Sequence, residues 1–354
     1  MSIFEHMKKN NSRELLFFEE ENLSLKAIVA IDSIVLGPAN ASTKLYNYKT
    51  EDDAVSDALD IAYYNSMRAS LLRRSVGGGS IVLWGDPDKV KTEMFFRALG
   101  VFLNRWEGKM FITKSKGVTY DDLTNVRKES KYILGLDESH NGLGQIYITR
   151  AKGAIWGLKA IAKHKLGNDS LKGLRIVVQG IGDLGSQLIE ELIKEEAEII
   201  ISDRIYDRIK VIQDKINNIE IVHPQDIYKT NCDIFFSCAT EKIISEEGVK
   251  QLNCKILTGG ANQMLKDQKS IATLREKEIL YVPGYVINGG DIIQVSNELE
   301  GYGKEKVENE LIEIYTNTLD LLEASKNSDK DLCSLATEKA EEYVKNVSAI
   351  KMLK

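Results

Sequence analysis

Cysteine is scarce in this 354-residue chain: Cys232, Cys238, Cys254 and Cys333, with no CxxC pair and no short-spaced framework. That excludes a disulfide-stapled secreted domain and predicts reduced thiols in a cytoplasmic protein. Histidine is equally rare. His6, His140, His164 and His223 are scattered, without an HxxxH or a Cys/His cluster, so no metal is expected. No apolar run approaches the roughly 18–20 residues that cross a bilayer. The opening MSIFEHMKKNNSRELLFF breaks its apolar pairs with charges, unlike a signal peptide. Positive charge is in deficit: Lys+Arg 47 against Asp+Glu 53 leaves −6, which argues against nucleic acid as the main partner. Internal repeats and low-complexity segments are absent too. What remains, 43% hydrophobic and 28% charged residues, is a globular composition, and the length suggests two domains.

The chain changes character near its middle. Residues 24–35 and 80–85 read as strands, 36–42 as a turn, and 109–117 as a strand passing into a loop. Helical spacing runs through 51–73, with an acidic start, and through 89–106. Helical periodicity returns at 150–165. From there strands predicted at 174–180, 197–203, 231–239, 254–262 and 279–289 alternate with helices. That alternation implies parallel crossovers and a doubly wound sheet. From Glu298 the chain is charged and helical, with a linker at 325–331 before a last helix.

Gly180-Ile181-Gly182-Asp183-Leu184-Gly185 is a GxGxxG. Alone the pattern is weak, but here it follows the strand RIVV and opens an apolar helix. A second strand then ends at Asp203, 18 residues after Gly185. This is the layout of a dinucleotide site. Gly180 permits the tight turn, Gly182 lets backbone approach a pyrophosphate, and Gly185 lets helix pack on sheet. The helix N-terminus suits the phosphates. Asp203 would accept from the ribose hydroxyls and repel a 2′-phosphate, favouring NAD over NADP, although the adjacent Arg204 could serve a phosphate.

Taken together, LGPA (36–39), GGGSIVLWGDP (77–87), FRALGVFLN (96–104), VQGIGDLG (178–185), CDIFFSCA (232–239), YVINGG (285–290) and ELEGY (298–302) resemble the Glu/Leu/Phe/Val amino-acid dehydrogenases, leucine dehydrogenases above all. The likeness runs over about residues 1–345. It implies an α/β protein of two domains. An N-terminal α/β substrate-binding and oligomerisation domain (1–148) precedes a Rossmann-type doubly wound NAD-binding domain (149–325). A C-terminal helix (326–354) returns toward the first. It also implies a homo-oligomer, dimer or higher, and NAD held by the glycine turn, Asp203, Cys238-Ala239, and two carboxamide-binding asparagines, Asn262 and Asn288. The lesser alternative for Asn288 is a cap for the turn before Gly289-Gly290. A threonine at the nicotinamide is replaced by Arg150, with Thr149 one position away.

The catalytic side departs from the pattern. The lysine that follows the three glycines is Ser80, a second lysine is Arg68, and the acid/base aspartate falls at Ser115. The glycine pair after LGPA reads Ala41-Ser42, and the aspartate of a Pro-Asp-Tyr reads Gly284. Serines cannot do the work of lysine and aspartate at neutral pH without an activating partner, so leucine deamination is not expected. Basic residues gather instead: Arg68, Arg73, Arg74, Lys114, Lys116, Arg150 and Lys152. They are either solvated surface charges or a seat for an anionic group. Arg68 is the best candidate for a carboxylate fork. His140, with Asp137, Glu138 and Asp291, is a candidate replacement acid/base, though a lone histidine is more often structural. The expected partner is thus a small-molecule substrate with an anionic group. Three functions follow. One is an NAD-dependent oxidoreductase acting on an unusual amino acid, imine or keto acid. The second is a catalytically silent NAD-binding regulator or partner subunit. The third is an enzyme using bound NAD in a net non-redox elimination or cyclisation.

Overall fold

A computed structural model describes residues 3–9, 14–216, 219–267 and 269–352. The chain divides into two compact units. One comprises the chain up to Ile146, Ile292–Val307 and the stretch from Lys339 on; the other comprises Tyr147–Asp291 and Glu308–Glu338. The sequence suggests a divide at 148/149 and an unbroken second domain to 325. Instead, the helices Gly290–Leu299 and Leu332–Lys351 each contribute residues to both units.

The first unit is built on strands β1 (Glu14–Glu20), β2 (Leu25–Ser33), β3 (Ala39–Tyr46), β4 (Gly77–Trp84) and β5 (Met110–Lys114). They lie in the order β1-β2-β4-β3-β5. β3 runs parallel to both β4 and β5, while β2 is antiparallel to β1 and β4. Side chains alternate across this sheet as the pleat demands. Ile81 and Leu83 join Phe95, Phe96, Leu99 and Leu103 on one face. Val82 joins Ala54, Ala58 and Ala62 of the Glu51–Leu71 helix on the other. That helix starts where Thr50 accepts the Asp53 N–H and where Glu51, Asp52 and Asp53 complement the helix dipole.

Two expectations fail here. The segment 36–42 is not all turn, because β3 begins at Ala39. The three glycines are not a loop before a strand. They are the first residues of β4: all three pair with β3, Gly78 and Gly79 pair with β2 as well, and none has a positive φ. What demands glycine is close approach. A Cβ on Gly78 would lie 2.2 Å from Ser66 Oγ and 2.3 Å from the Ala62 carbonyl, both on the 51–71 helix.

The second unit carries β6 (Arg175–Gln179), β7 (Glu198–Ser202), β8 (Glu220–Ile221), β9 (Ile234–Ser237), β10 (Ile256–Gly259) and β11 (Leu280–Tyr281). The order is β11-β10-β9-β6-β7-β8, with every pairing parallel. The succession reverses at β6, so the crevice beyond the strand ends lies between β6 and β9. The expected strand 279–289 shrinks to two residues. Pro283 then opens a short helix, Gly284–Ile287, because a proline fixes φ for a first helical turn and cannot extend a ladder. Among the described residues no helix is long and apolar enough to cross a membrane.

Candidate cofactor and substrate sites

The cofactor site grows from the end of β6. Gly180 has φ +95°, a left-handed conformation closed to most side chains. The helix Asp183–Lys194 follows with Gly182 as its cap, so no cap side chain accepts from its first N–H groups, while the Ser186 hydroxyl donates to the Gly182 and Asp183 carbonyls. A Cβ on Gly182 would meet nothing within 4 Å, whereas one on Gly185 would strike the Gly180 carbonyl at 2.0 Å. The backbone therefore presents an open, positively polarised helix end above a tightly packed turn, which suits an anionic pyrophosphate. Asp183 is exposed at the helix start, and Leu184 is buried beside Gly260.

Asp203 follows β7 and binds the turn itself. Its carboxylate accepts from the Ile181 N–H at 2.6 Å and the Ile205 N–H at 2.8 Å, with Arg208 at 3.6 Å. A carboxylate has about four acceptor sites, so hydroxyl groups of a ribose can be added to this set. Arg204 is exposed. Across the crevice, Cys238-Ala239 backs onto Gly180, and the Cys238 N–H donates to the Gln179 carbonyl at 2.7 Å. Burial pushes the Cys238 thiol up to about 12, against a smaller lowering by Arg150.

The two asparagines meet. Asn288 Nδ2 donates to the Gly260 carbonyl at 2.8 Å and to Asn262 Oδ1 at 3.2 Å, while Glu241 accepts the Asn262 N–H at 2.9 Å. Arg150 joins them, its Nη2 donating to the same Gly260 oxygen at 2.7 Å. Tyr147 lies nearby; burial pushes its phenol up to about 12, Arg150 lowering it and Asp183 and Asp291 raising it. The residues present thus fit NAD: a ribose acid, a phosphate-ready helix end and amides for a carboxamide.

In the first unit the candidate catalytic residues fall into two places. Arg68 is 3% exposed on the 51–71 helix, and its Nη2 donates to Asn65 Oδ1 at 2.6 Å. Asn65 Nδ2 in turn donates to the Asn40 carbonyl (3.2 Å), Ser42 Oγ (3.0 Å) and the Gly79 carbonyl (2.9 Å). Thr113 on β5 donates to Asn40 Oδ1 at 3.2 Å. Ser80 belongs to the same sheet face, but it is fully buried and its hydroxyl donates to the Ala58 carbonyl at 2.7 Å. Ser115 lies just past β5, in a turn closed by the Val118 N–H on its carbonyl.

His140 belongs elsewhere. It ends a single 3₁₀ turn, Glu138–His140, with Nδ1 2.6 Å from Asp137 and 3.1 Å from Ser139 Oγ. Its carbonyl accepts from Arg127 at 2.7 Å. Asp137 caps the turn, and hydrogen bonds from Ser139 first and His140 next hold its carboxyl below the usual range. These local partners are those of a structural histidine. The basic residues are similarly dispersed. Arg73 lies over the Tyr343 ring, Lys114 over Tyr120 and Lys116 over Tyr46, while Lys152 pairs with Glu308 at 2.5 Å. Among the described residues no group of three or more His, Cys, Asp or Glu side chains could hold a metal.

Sequence reasoning passes over Asn65, the hub of the polar cluster. A signal exists: Ala58, Ala62, Asn65 and Ala69 share one helix face, and an asparagine within a buried alanine stripe needs partners.

Comparison with known proteins identifies the family. Residues 203–351 match the family model described as Glutamate/Leucine/Phenylalanine/Valine dehydrogenase, and residues 18–136 match Glu/Leu/Phe/Val dehydrogenase, dimerisation domain. Leucine dehydrogenase of Thermoactinomyces intermedius is 34% identical, covering 97% of this chain and 94% of that protein. Phenylalanine dehydrogenase of Lysinibacillus sphaericus is 35% identical, covering 88% and 83%. The crystal structure of L-tryptophan dehydrogenase from Nostoc punctiforme superposes with a TM-score of 0.78 at 28% identity, over 98% of this chain and 99% of that one. With its parallel sheet, its glycine turn fastened by Asp203 and full-length likeness to such enzymes, the chain belongs to the Glu/Leu/Phe/Val dehydrogenases, the NAD-dependent amino-acid dehydrogenase family.

Proposed function

We propose that this protein is an NAD-dependent oxidoreductase whose substrate is an amino acid, imine or keto acid other than leucine. Relatives named for leucine, phenylalanine and tryptophan surround it, so membership of the family leaves the side chain of the substrate open. The observation that carries the reading is the contrast between the two half-sites. The cofactor half has its turn, acid and amides in working order. The position that the family gives to a lysine holds a hydroxyl turned into the Ala58 carbonyl of a neighbouring helix.

NAD supplies the hydride acceptor or donor. This chain's residues have a smaller set of tasks left. Arg68, oriented by Asn65, offers a guanidinium for a substrate carboxylate. The amides of Asn262 and Asn288 hold a carboxamide and so fix which ring face meets the substrate. What is missing is a group to deprotonate an ammonium or a water, a loss of about 10²–10⁴ in rate. Reduction of a preformed imine avoids that demand: its carbon takes a hydride, its nitrogen takes a proton from water, and an amine results.

A screen at 340 nm tests this. NAD with single amino acids, and NADH with 2-keto acids plus ammonia or primary amines, should give turnover in the reductive arm and none with leucine. Silence in every arm, with NADH still bound, would favour a non-catalytic NAD-binding role. The buried Ser80 hydroxyl is the observation on that side.

A further inference from the structure

The crevice at the strand ends has a direction. Asp203 follows β7, so the adenosine half of a dinucleotide belongs on that side of β6, with the pyrophosphate at Gly182. The nicotinamide half must then run the other way, over the ends of β9 and β10, where Cys238-Ala239 and residues 259–262 stand. Arg150 enters at this end. Its Nη2 reaches the Gly260 carbonyl at 2.7 Å, the oxygen that also takes Asn288 Nδ2 at 2.8 Å. Its Nε is buried and finds no acceptor among the described residues. Pinned on the carbonyl that also takes Asn288, the guanidinium sets its charge beside the two amides assigned to the carboxamide.

Such a charge distinguishes the two states of the cofactor. The oxidised nicotinamide ring carries a positive charge and the reduced ring carries none, so a fixed guanidinium repels only the first. Asp183 and Asp291 act on the neighbouring Tyr147 in the opposite sense to Arg150, and they temper the repulsion without removing its source. We propose that Arg150 sets the redox preference of the site, favouring NADH over NAD⁺ and with it the reductive direction. The inference rests on the proposed NAD-dependent function. It adds a role for a residue that stands where the family pattern has a neutral threonine.

The test is a pair of titrations on the full chain. NADH binding is followed by nicotinamide fluorescence, and NAD⁺ binding by its competition with NADH. Arg150→Gln keeps a donor for the Gly260 carbonyl and loses the charge; Arg150→Lys keeps a charge. The ratio Kd(NAD⁺)/Kd(NADH) should fall about three- to tenfold in Arg150→Gln, the scale of one screened charge a few ångströms away. It should stay near the wild-type ratio in Arg150→Lys. If Arg150→Gln does not fold, judged by its near-ultraviolet circular dichroism, Arg150→Thr takes its place. An unchanged ratio in a folded neutral variant that binds both dinucleotides overturns the role of Arg150 alone. Failure of the wild-type protein to bind either dinucleotide overturns the NAD reading and this proposal with it.

Discussion

Ser80 and Asn65 show how much a single polar group can carry when it is buried. The Ser80 hydroxyl is 0% exposed and has one acceptor, the Ala58 carbonyl. Ser80→Ala should cost about 1–2 kcal/mol of stability, read from urea unfolding, and leave NADH affinity unchanged. Ser80→Lys forces an ammonium beneath the 51–71 helix, so it should destabilise by several kcal/mol, on the scale of a poorly paired buried charge. It should not bring back leucine oxidation, because Arg68 and Ser115 still differ from the family pattern. Asn65→Leu removes the amide partner of Arg68 and of two buried carbonyls at once. About 2–4 kcal/mol should be lost in the same assay. Ser80 stands out in the sequence through the three glycines before it, yet its acceptor lies 22 positions earlier, on a helix whose docking no local pattern reveals.

At the scale of elements, the glycine strand β4 and the segment around Asp233 are the informative pieces. Gly78→Ala would bring a methyl within 2.4 Å of the Ser66 nitrogen. The helix or the strand must shift, and a loss of about 2 kcal/mol or more is expected, with Gly79→Ala milder because its nearest contact is a side-chain methyl at 3.1 Å. Recognising a strand from sequence depends on side chains that alternate, and three glycines have none. The reason for the glycines is the helix pressed on them, so β4 is legible only from Ser80 on. The parallel sheet is easier: Ile-, Val- and Phe-rich runs separated by helices announce it. Asp233, just before β9, binds the Arg175 N–H at 3.0 Å and Lys255 at 2.8 Å. Burial pushes its carboxyl up, but these partners outweigh it and the net shift is downward from 3.8. A lowered carboxylate contributes stability that is complete above its unfolded value and is lost as pH falls through the folded one. The stability gap between wild type and Asp233→Asn should therefore be present at pH 6 and shrink steadily below about pH 4, as unfolding midpoints across that range would show.

At the scale of the whole molecule the two half-sites differ in how far the sequence exposes them. The parts assigned to a dinucleotide site are easy to find in the sequence, because a glycine turn, a helix start and a strand-end acid lie within 24 residues, 180–203. The substrate half depends on contacts between β3, β4, β5 and one helix, and sequence alone names only the positions that differ from the family. The family likeness implies the return of the C-terminal helix, and the residues from Lys339 on do group with the first unit; that Ile292–Val307 groups there too leaves no periodic trace in the sequence. Ligand linkage adds a prediction at this scale. NADH at 100 times its Kd should stabilise the protein by about 2.7 kcal/mol, visible as a rise in Tm, if it binds only the folded chain. Residues 18–136 match a dimerisation domain, and light scattering should accordingly report more than a monomer. The most direct single measurement is the absorbance at 340 nm when the purified protein is mixed with NAD and L-leucine. No rise above the leucine-free control is expected on the proposed reading, in which Ser80 and Ser115 stand where the family pattern has lysine and aspartate. Sustained NADH formation would contradict the view that the cofactor half was kept while the catalytic half was rebuilt.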